Sequence, residues 1–148
     1  MNQRIFLIIA IITLLLALSA LNLKPAQKIS TSDLNLPCDL SNPLANTYKP
    51  ERFTIYKPCI NVSGEVQSVV VEDDHDVRVN IKVDKQFEYL LNKGNNDYQN
   101  GFLVAKITPE FQNNISVPKI GEHHNFWGPW VLDKDHGWNE IHPVWKIE

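Results

Sequence analysis

Val77-Arg78-Val79-Asn80-Ile81-Lys82-Val83 alternates apolar and polar side chains without a break. A period of two puts Val77, Val79, Ile81 and Val83 on one face of a strand and Arg78, Asn80 and Lys82 on the other. Such a strand needs a partner for its apolar face. Upstream, Ile60, Val62, Gly64 and Val66 alternate with polar neighbours, and Val69 to Val71 extend the run. Glu72 to Asp76 between them is an acidic turn. The pair predicts a long β-hairpin with one buried face. Gly64, inside the first strand, predicts a bulge or bend there.

Further strands lie on both sides of the hairpin. Arg52 to Tyr56 predicts a short strand just before it. After it, Phe87, Leu90 and Leu91 fall at helical spacing and predict a turn or two of helix over residues 86–92. Lys93 to Gly101 reads as a polar loop. Phe102 to Thr108 predicts a third strand of the domain, stopped by Pro109. His123 to Leu132 predicts a fourth, interrupted by Gly128-Pro129, and Trp138 to Ile147 a fifth, with Pro143 marking an edge or bulge. Short strands without a long helix predict an all-β fold. By strand count and length, the fit is a small five-stranded OB-like barrel with a short helix, an open sandwich being the alternative.

The N-terminus has a different composition. Ile5 to Leu21 is an apolar run broken only by Thr13 and Ser19, with Arg4 before it and Lys24 after it. That order predicts a signal peptide or signal anchor over residues 1–22. Seventeen residues sit at the lower limit for a bilayer span of about 30 Å. Ala17-Leu18-Ser19 offers a small-x-small cleavage site, but it is a weak one, and retention as an anchor is the expectation. Residues 23–51 read as a linker or arm punctuated by Pro25, Pro37, Pro43 and Pro50, and 52–148 as the barrel domain. The domain is therefore expected outside the cytoplasm, membrane-anchored or secreted.

Charge and cysteine usage narrow the partners. The chain carries 14 Lys and Arg against 17 Asp and Glu, and only Arg4 of these falls in the first 22 residues. The exported body thus keeps 13 basic against 17 acidic residues, a net −4. That balance argues against tight, sequence-independent nucleic-acid binding. Cys38 and Cys59 both lie in the exported part, where a disulfide is the expected state. Two N-x-S sequons occur, at Asn61 and Asn114.

The chemistry-bearing residues concentrate near the C-terminus. Asp133, His136, Glu140 and His142 combine carboxylate and imidazole, a donor set that suits a divalent metal such as Zn²⁺. On a strand, Trp138, Glu140 and His142 share one face, and Ile141, Pro143, Trp145 and Ile147 share the other, apolar one. The plainer reading makes Glu140 and His142 a brace beside a tight turn. All four tryptophans lie in the last 22 residues. Stacked aromatics on an OB-type face bind sugars or unpaired bases, which brings Trp138 and Trp130 forward as ligand residues beside Glu140 and His142. The adjacent His123 and His124 point to opposite faces of a strand. No Gly-rich phosphate loop, nucleophile elbow, Cys-x-x-Cys pair or zinc-protease helix is present.

The segment Cys59 to Val66, its hairpin, Gly128-Pro129-Trp130-Val131-Leu132-Asp133 and His136-Gly137-Trp138-Asn139-Glu140-Ile141-His142-Pro143 resemble a family of exported bacterial and archaeal proteins. The resemblance covers residues 52–148 and implies an OB-like domain, with no established activity. Asp74-His75-Asp76 stands where that family carries Asp-Gly-Asp, so a special role for the turn does not carry over. The expected function is a membrane-tethered, extracytoplasmic binding module with no cofactor, holding a glycan or an envelope protein. The alternative is a metal-dependent hydrolase built on the Asp133/His136/Glu140/His142 cluster.

Overall fold

The computed structural model describes residues 37–148. The apolar run of residues 5–21 and the arm up to residue 36 lie outside them, and so does the expected signal or anchor. No helix among the described residues is long and apolar enough to cross a membrane.

One strand, β1 (Phe53–Val71), absorbs both the short strand expected at 52–56 and the first arm of the hairpin. Pro58 does not end it, because that proline sits at a slip of register against its neighbour, between Lys57 and Ile60. Strand β2 (Val77–Val83) buries its four apolar residues and leaves the alternate ones more exposed, as its period requires. The two pair antiparallel from Gly64↔Val83 to Val71↔Val77, with a bulge between Val66 and Ser68. Gly64 is a close approach and not the bulge: a Cβ there would lie 2.5 Å from the Lys82 carbonyl oxygen.

Strands β3 (Leu103–Ile107), β4 (His123–Asp133), β5 (Asn139–Ile141) and β6 (Lys146–Ile147) complete the sheet. The single fifth strand expected over 138–147 is divided. β5 runs parallel to β3 and antiparallel to β4. A cis His142–Pro143 bond follows, and β6 then pairs with β4 at Phe126↔Ile147. The order β1-β2-β3-β5-β4, with β4 returning to β1, closes a ring of five strands within one mixed sheet. Inside the ring, Val62, Val66, Val79, Ile81, Leu103, Ala105, Phe126 and Ile141 form the core. Each of the larger ones contributes about 1.5–3 kcal/mol on burial.

A 3₁₀ turn over Lys85–Leu90 stands where a short helix was expected, with Leu90 fully buried. Helix α1 (Lys93–Tyr98) replaces the expected polar loop. A capping box holds it: the Asn92 side chain accepts from Asn95 N, and the Asn95 side chain accepts from Asn92 N, each at 3.0 Å. A single turn, α2 (Pro109–Gln112), follows β3. Cys38 and Cys59 form the expected disulfide. It ties the end of the arm to the middle of β1 and contributes about 2–4 kcal/mol through loop closure.

Candidate functional site

The register between β3 and β5 decides where the C-terminal constellation lies. Ala105 opposes Ile141, and both sit in the core. Val104 opposes Glu140, so Glu140 lies on the outer face of the sheet with Val104 and Lys106. Arg78, opposite Lys106 on β2, continues that face. The alternation expected from sequence is therefore present, but the outer face is not open to water. Glu140 and His142 are 0% and 1% exposed. The Phe53 ring covers His142 at a centroid distance of 4.7 Å, and the Arg52 guanidinium lies over that ring at 4.6 Å. The result is a second buried layer, polar where the first is apolar.

Within this layer the four residues expected as metal ligands divide into two pairs. His142 Nδ1 lies 3.1 Å from Glu140 Oε1, and the Trp138 indole N–H donates to Glu140 Oε2 at 3.4 Å. His142 Nε2 has no hydrogen-bond partner and faces Asp76 Oδ2 at 3.9 Å. Burial pushes the Asp76 carboxyl above its ordinary range, against the opposing pull of His142. Asp133, fully buried, belongs to the other pair. Its Oδ2 receives Arg52 at 3.1 Å and His136 Nδ1 at 2.8 Å. Its Oδ1 accepts from the backbone N–H groups of Asp135 and His136, which fixes the turn after β4. Among the described residues, no group of three or more His, Cys, Asp or Glu side chains is placed to hold a metal ion. The side chains pair off and do not converge on one point.

Trp138 is half-buried and stacked on His136, with centroids 4.6 Å apart and planes 7° apart, so it is not the open platform its sequence position suggests. Above the Arg52–Asp133–His136 group lies a cleft of about 520 Å³ between the β1–β2 tip and the β4–β5 turn. Tyr48, Arg52, Glu72, Lys106 and His136 contribute to its walls. Its charges are largely spent internally: Glu72 pairs with Lys106 and Arg78, and Arg52 with Asp133.

Trp130 stands elsewhere and packs against the core. Its ring is half-buried on β4, and its indole N–H donates to the Leu90 carbonyl at 3.2 Å. Tyr56 lies 4.5 Å away at a 46° tilt, and Tyr89 lies 6.2 Å away nearly perpendicular. Both tyrosines are exposed, at 46% and 61%. Sequence reasoning missed Tyr56 and Tyr89, because one lies in the segment read only as a lead-in strand and the other beside a helical-period triplet. The available signal was an aromatic at an exposed position next to Trp130's strand.

His123 and His124 do point apart. His123 Nε2 meets Asp84 Oδ1 at 2.9 Å, and His124 Nε2 meets Glu122 Oε2 at 3.1 Å. The Ser63 hydroxyl also donates to Asp84, and this bond, followed by that from His123, holds the Asp84 carboxyl below its ordinary range. A carboxylate with a depressed folded pKa stabilises the fold above its unfolded pKa of about 3.9 and loses that contribution as pH falls through the folded value. Ser63→Ala is therefore expected to melt below the parent near neutrality, with the gap closing as pH drops under about 4. A gap that stays constant down to strongly acidic pH in thermal melts would contradict this account. Of the two sequons, Asn61-Val62-Ser63 runs inside β1 with Val62 and Ser63 buried, whereas Asn114 is exposed in a loop.

Comparison with protein-family models, with curated proteins and with solved structures finds no match to the chain.

Proposed function

We propose that the chain is an extracytoplasmic binding module, tethered to the membrane by residues 1–22 and presenting its ligand surface on an OB-like barrel. The observation that carries this reading is the Trp130 ring, clamped by the Leu90 carbonyl and flanked by two exposed tyrosines. Trp130 packs against the core from below, and the two tyrosines held on it at the surface are the kind of side chain a recognition surface uses. Support for the barrel comes from the ring order, with its one parallel pair between β3 and β5. Support for export comes from the Cys38–Cys59 disulfide, a bond of oxidising compartments, together with the apolar N-terminal run. The alternative of a metal-dependent hydrolase draws no support from the Glu140–His142 and Asp133–His136 pairs, which form two separate groups; among the described residues no three such side chains are placed to hold an ion.

The test is co-sedimentation of full-length protein, held in a zwitterionic detergent, with washed envelope fragments from the producing cells. Tyr56→Ala/Tyr89→Ala is expected to cut the bound fraction about tenfold, the loss typical of truncating interface aromatics. Equal sedimentation of parent and variant would remove the proposed surface. No sedimentation of either would remove the module reading.

A further inference from the structure

We infer that Asn114 is the attachment site of an N-linked oligosaccharide, the acceptor in Asn114-Ile115-Ser116. The inference shares with the proposed function only its premise of export and does not depend on the Trp130 surface. The chain carries two Asn-x-Ser triplets. An acceptor triplet needs its amide and its hydroxyl within reach of a transferase, and room for what is attached. The fold treats the two triplets in opposite ways.

Asn61-Val62-Ser63 is built into the barrel. Val62 is fully buried, and Asn61 pairs with Trp127 across β1 and β4. The Asn61 amide oxygen is shut away from water, and the Ser63 hydroxyl donates to Asp84. A sugar there would have to displace contacts of the sheet itself. Asn114-Ile115-Ser116 lies in the loop after α2. The Asn114 and Ile115 N–H groups both donate to the Phe111 carbonyl, at 3.0 and 2.9 Å, and the Ile115 side chain joins the core. The middle residue thus pins the triplet, while Asn114 and Ser116 on either side of it are exposed. Both line a groove of about 320 Å³ together with Trp145, Lys146 and Glu148. The Trp145 ring is half-buried there and lies 4.9 Å from Phe111. A first sugar on Asn114 has space in this groove and an aromatic side chain beside it.

The co-reactant is an oligosaccharide carried on a polyprenyl phosphate or pyrophosphate at the outer face of the exporting membrane. Asn114 Nδ2 forms a bond to the sugar C1, and the C1–O bond to phosphate breaks. The phosphate leaves with that electron pair, and the displaced amide proton passes to solvent. No group is oxidised or reduced.

The experiment is intact-mass and peptide mass spectrometry on full-length protein from the producing cells, with free thiols alkylated before any reduction. The parent is expected to carry added mass in whole sugar residues, mapped to Asn114. Asn114→Gln and Ser116→Ala should lose it completely. Ser116→Thr, which keeps a hydroxyl, and Asn61→Gln should retain it. Asn114 and Ser116 are exposed, so their variants should melt with the unmodified parent. A parent whose mass is polypeptide alone overturns the inference. So does sugar mass that survives Asn114→Gln or vanishes in Asn61→Gln. Thiol labelling separates the premise from the site. Polypeptide mass alone with Cys38 and Cys59 protected from alkylation removes the glycan and leaves export standing. Polypeptide mass alone with both thiols labelled removes both.

Discussion

His142→Ala is expected to lower the melting temperature by roughly 10–20 °C, the equivalent of about 3–5 kcal/mol for a domain of this size. The reasoning starts from burial. Glu140 and His142 lie under the Phe53 ring with almost no exposed area. Removing the imidazole leaves the Glu140 carboxylate in place, with only the long Trp138 indole contact at 3.4 Å to replace the lost partner. A buried polar group left without its partner costs more than the pair itself contributes, and the space left by the ring adds to the loss. Glu140→Ala strands the imidazole in the same way. Because the two residues act as a pair, the double substitution should cost less than the sum of the singles. Thermal melts of the three variants check this. Unchanged melting in both singles would sink the brace, and a chelator-induced fall of similar size in the parent would instead return the pair to metal ligation.

How much of this was legible in the sequence depends on what sets each feature. The Val77–Val83 alternation gave β2, its inward face and its partner, because a period of two follows from strand geometry alone. The same rule placed Ile141 inward and Glu140 and His142 on the opposite face. Their burial was not legible. It comes from Arg52 and Phe53, some ninety residues away in the chain, which the β1–β4 pairing of Phe53 with Asp133 brings over that face. Local pattern assigns charged alternate positions to water; only the tertiary pairing shows a second layer above them. The division of the last strand was likewise a tertiary effect, since β5 is held by β3 and β4 while β6 returns to a different stretch of β4. The expected Cys38–Cys59 bond formed as read. For the proposed recognition surface, Trp130 was visible among the tryptophans, but its tyrosine neighbours come from β1 and from the 3₁₀ turn, and no spacing rule relates the three.

Helix α1 was the clearest miss, and it supports the second large prediction. Lys93-Gly94-Asn95-Asn96-Asp97-Tyr98 has no apolar period, so nothing local marks it as a helix. Its stability is borrowed from the β4–β5 turn. The Asn95 side chain donates to the carbonyls of Phe102 and Asn139 and accepts from Asn139 N. Asn92 donates to the Gly137 carbonyl and to the Asn139 side chain. These bonds need the two backbones nearly in contact, and Gly94 permits it: a Cβ there would lie 2.1 Å from the Gly137 oxygen and 3.1 Å from Trp138 Cα. Alanine in a helix ordinarily gains about 1 kcal/mol over glycine. Here every near atom belongs to backbone and cannot rotate away, so the sign reverses. Gly94→Ala is expected to destabilise by about 3 kcal/mol, the upper range for overpacking. The strain should fall on the contacts that α1 makes with the turn, so amide exchange ought to speed at Asn95 and Asn139 more than in the β2 core. Denaturant melts and site-resolved exchange test both parts. A Gly94→Ala protein as stable as the parent would mean that α1 is not seated on the turn, and with it the clamp from Asn139 through Leu90 to Trp130 would lose its footing.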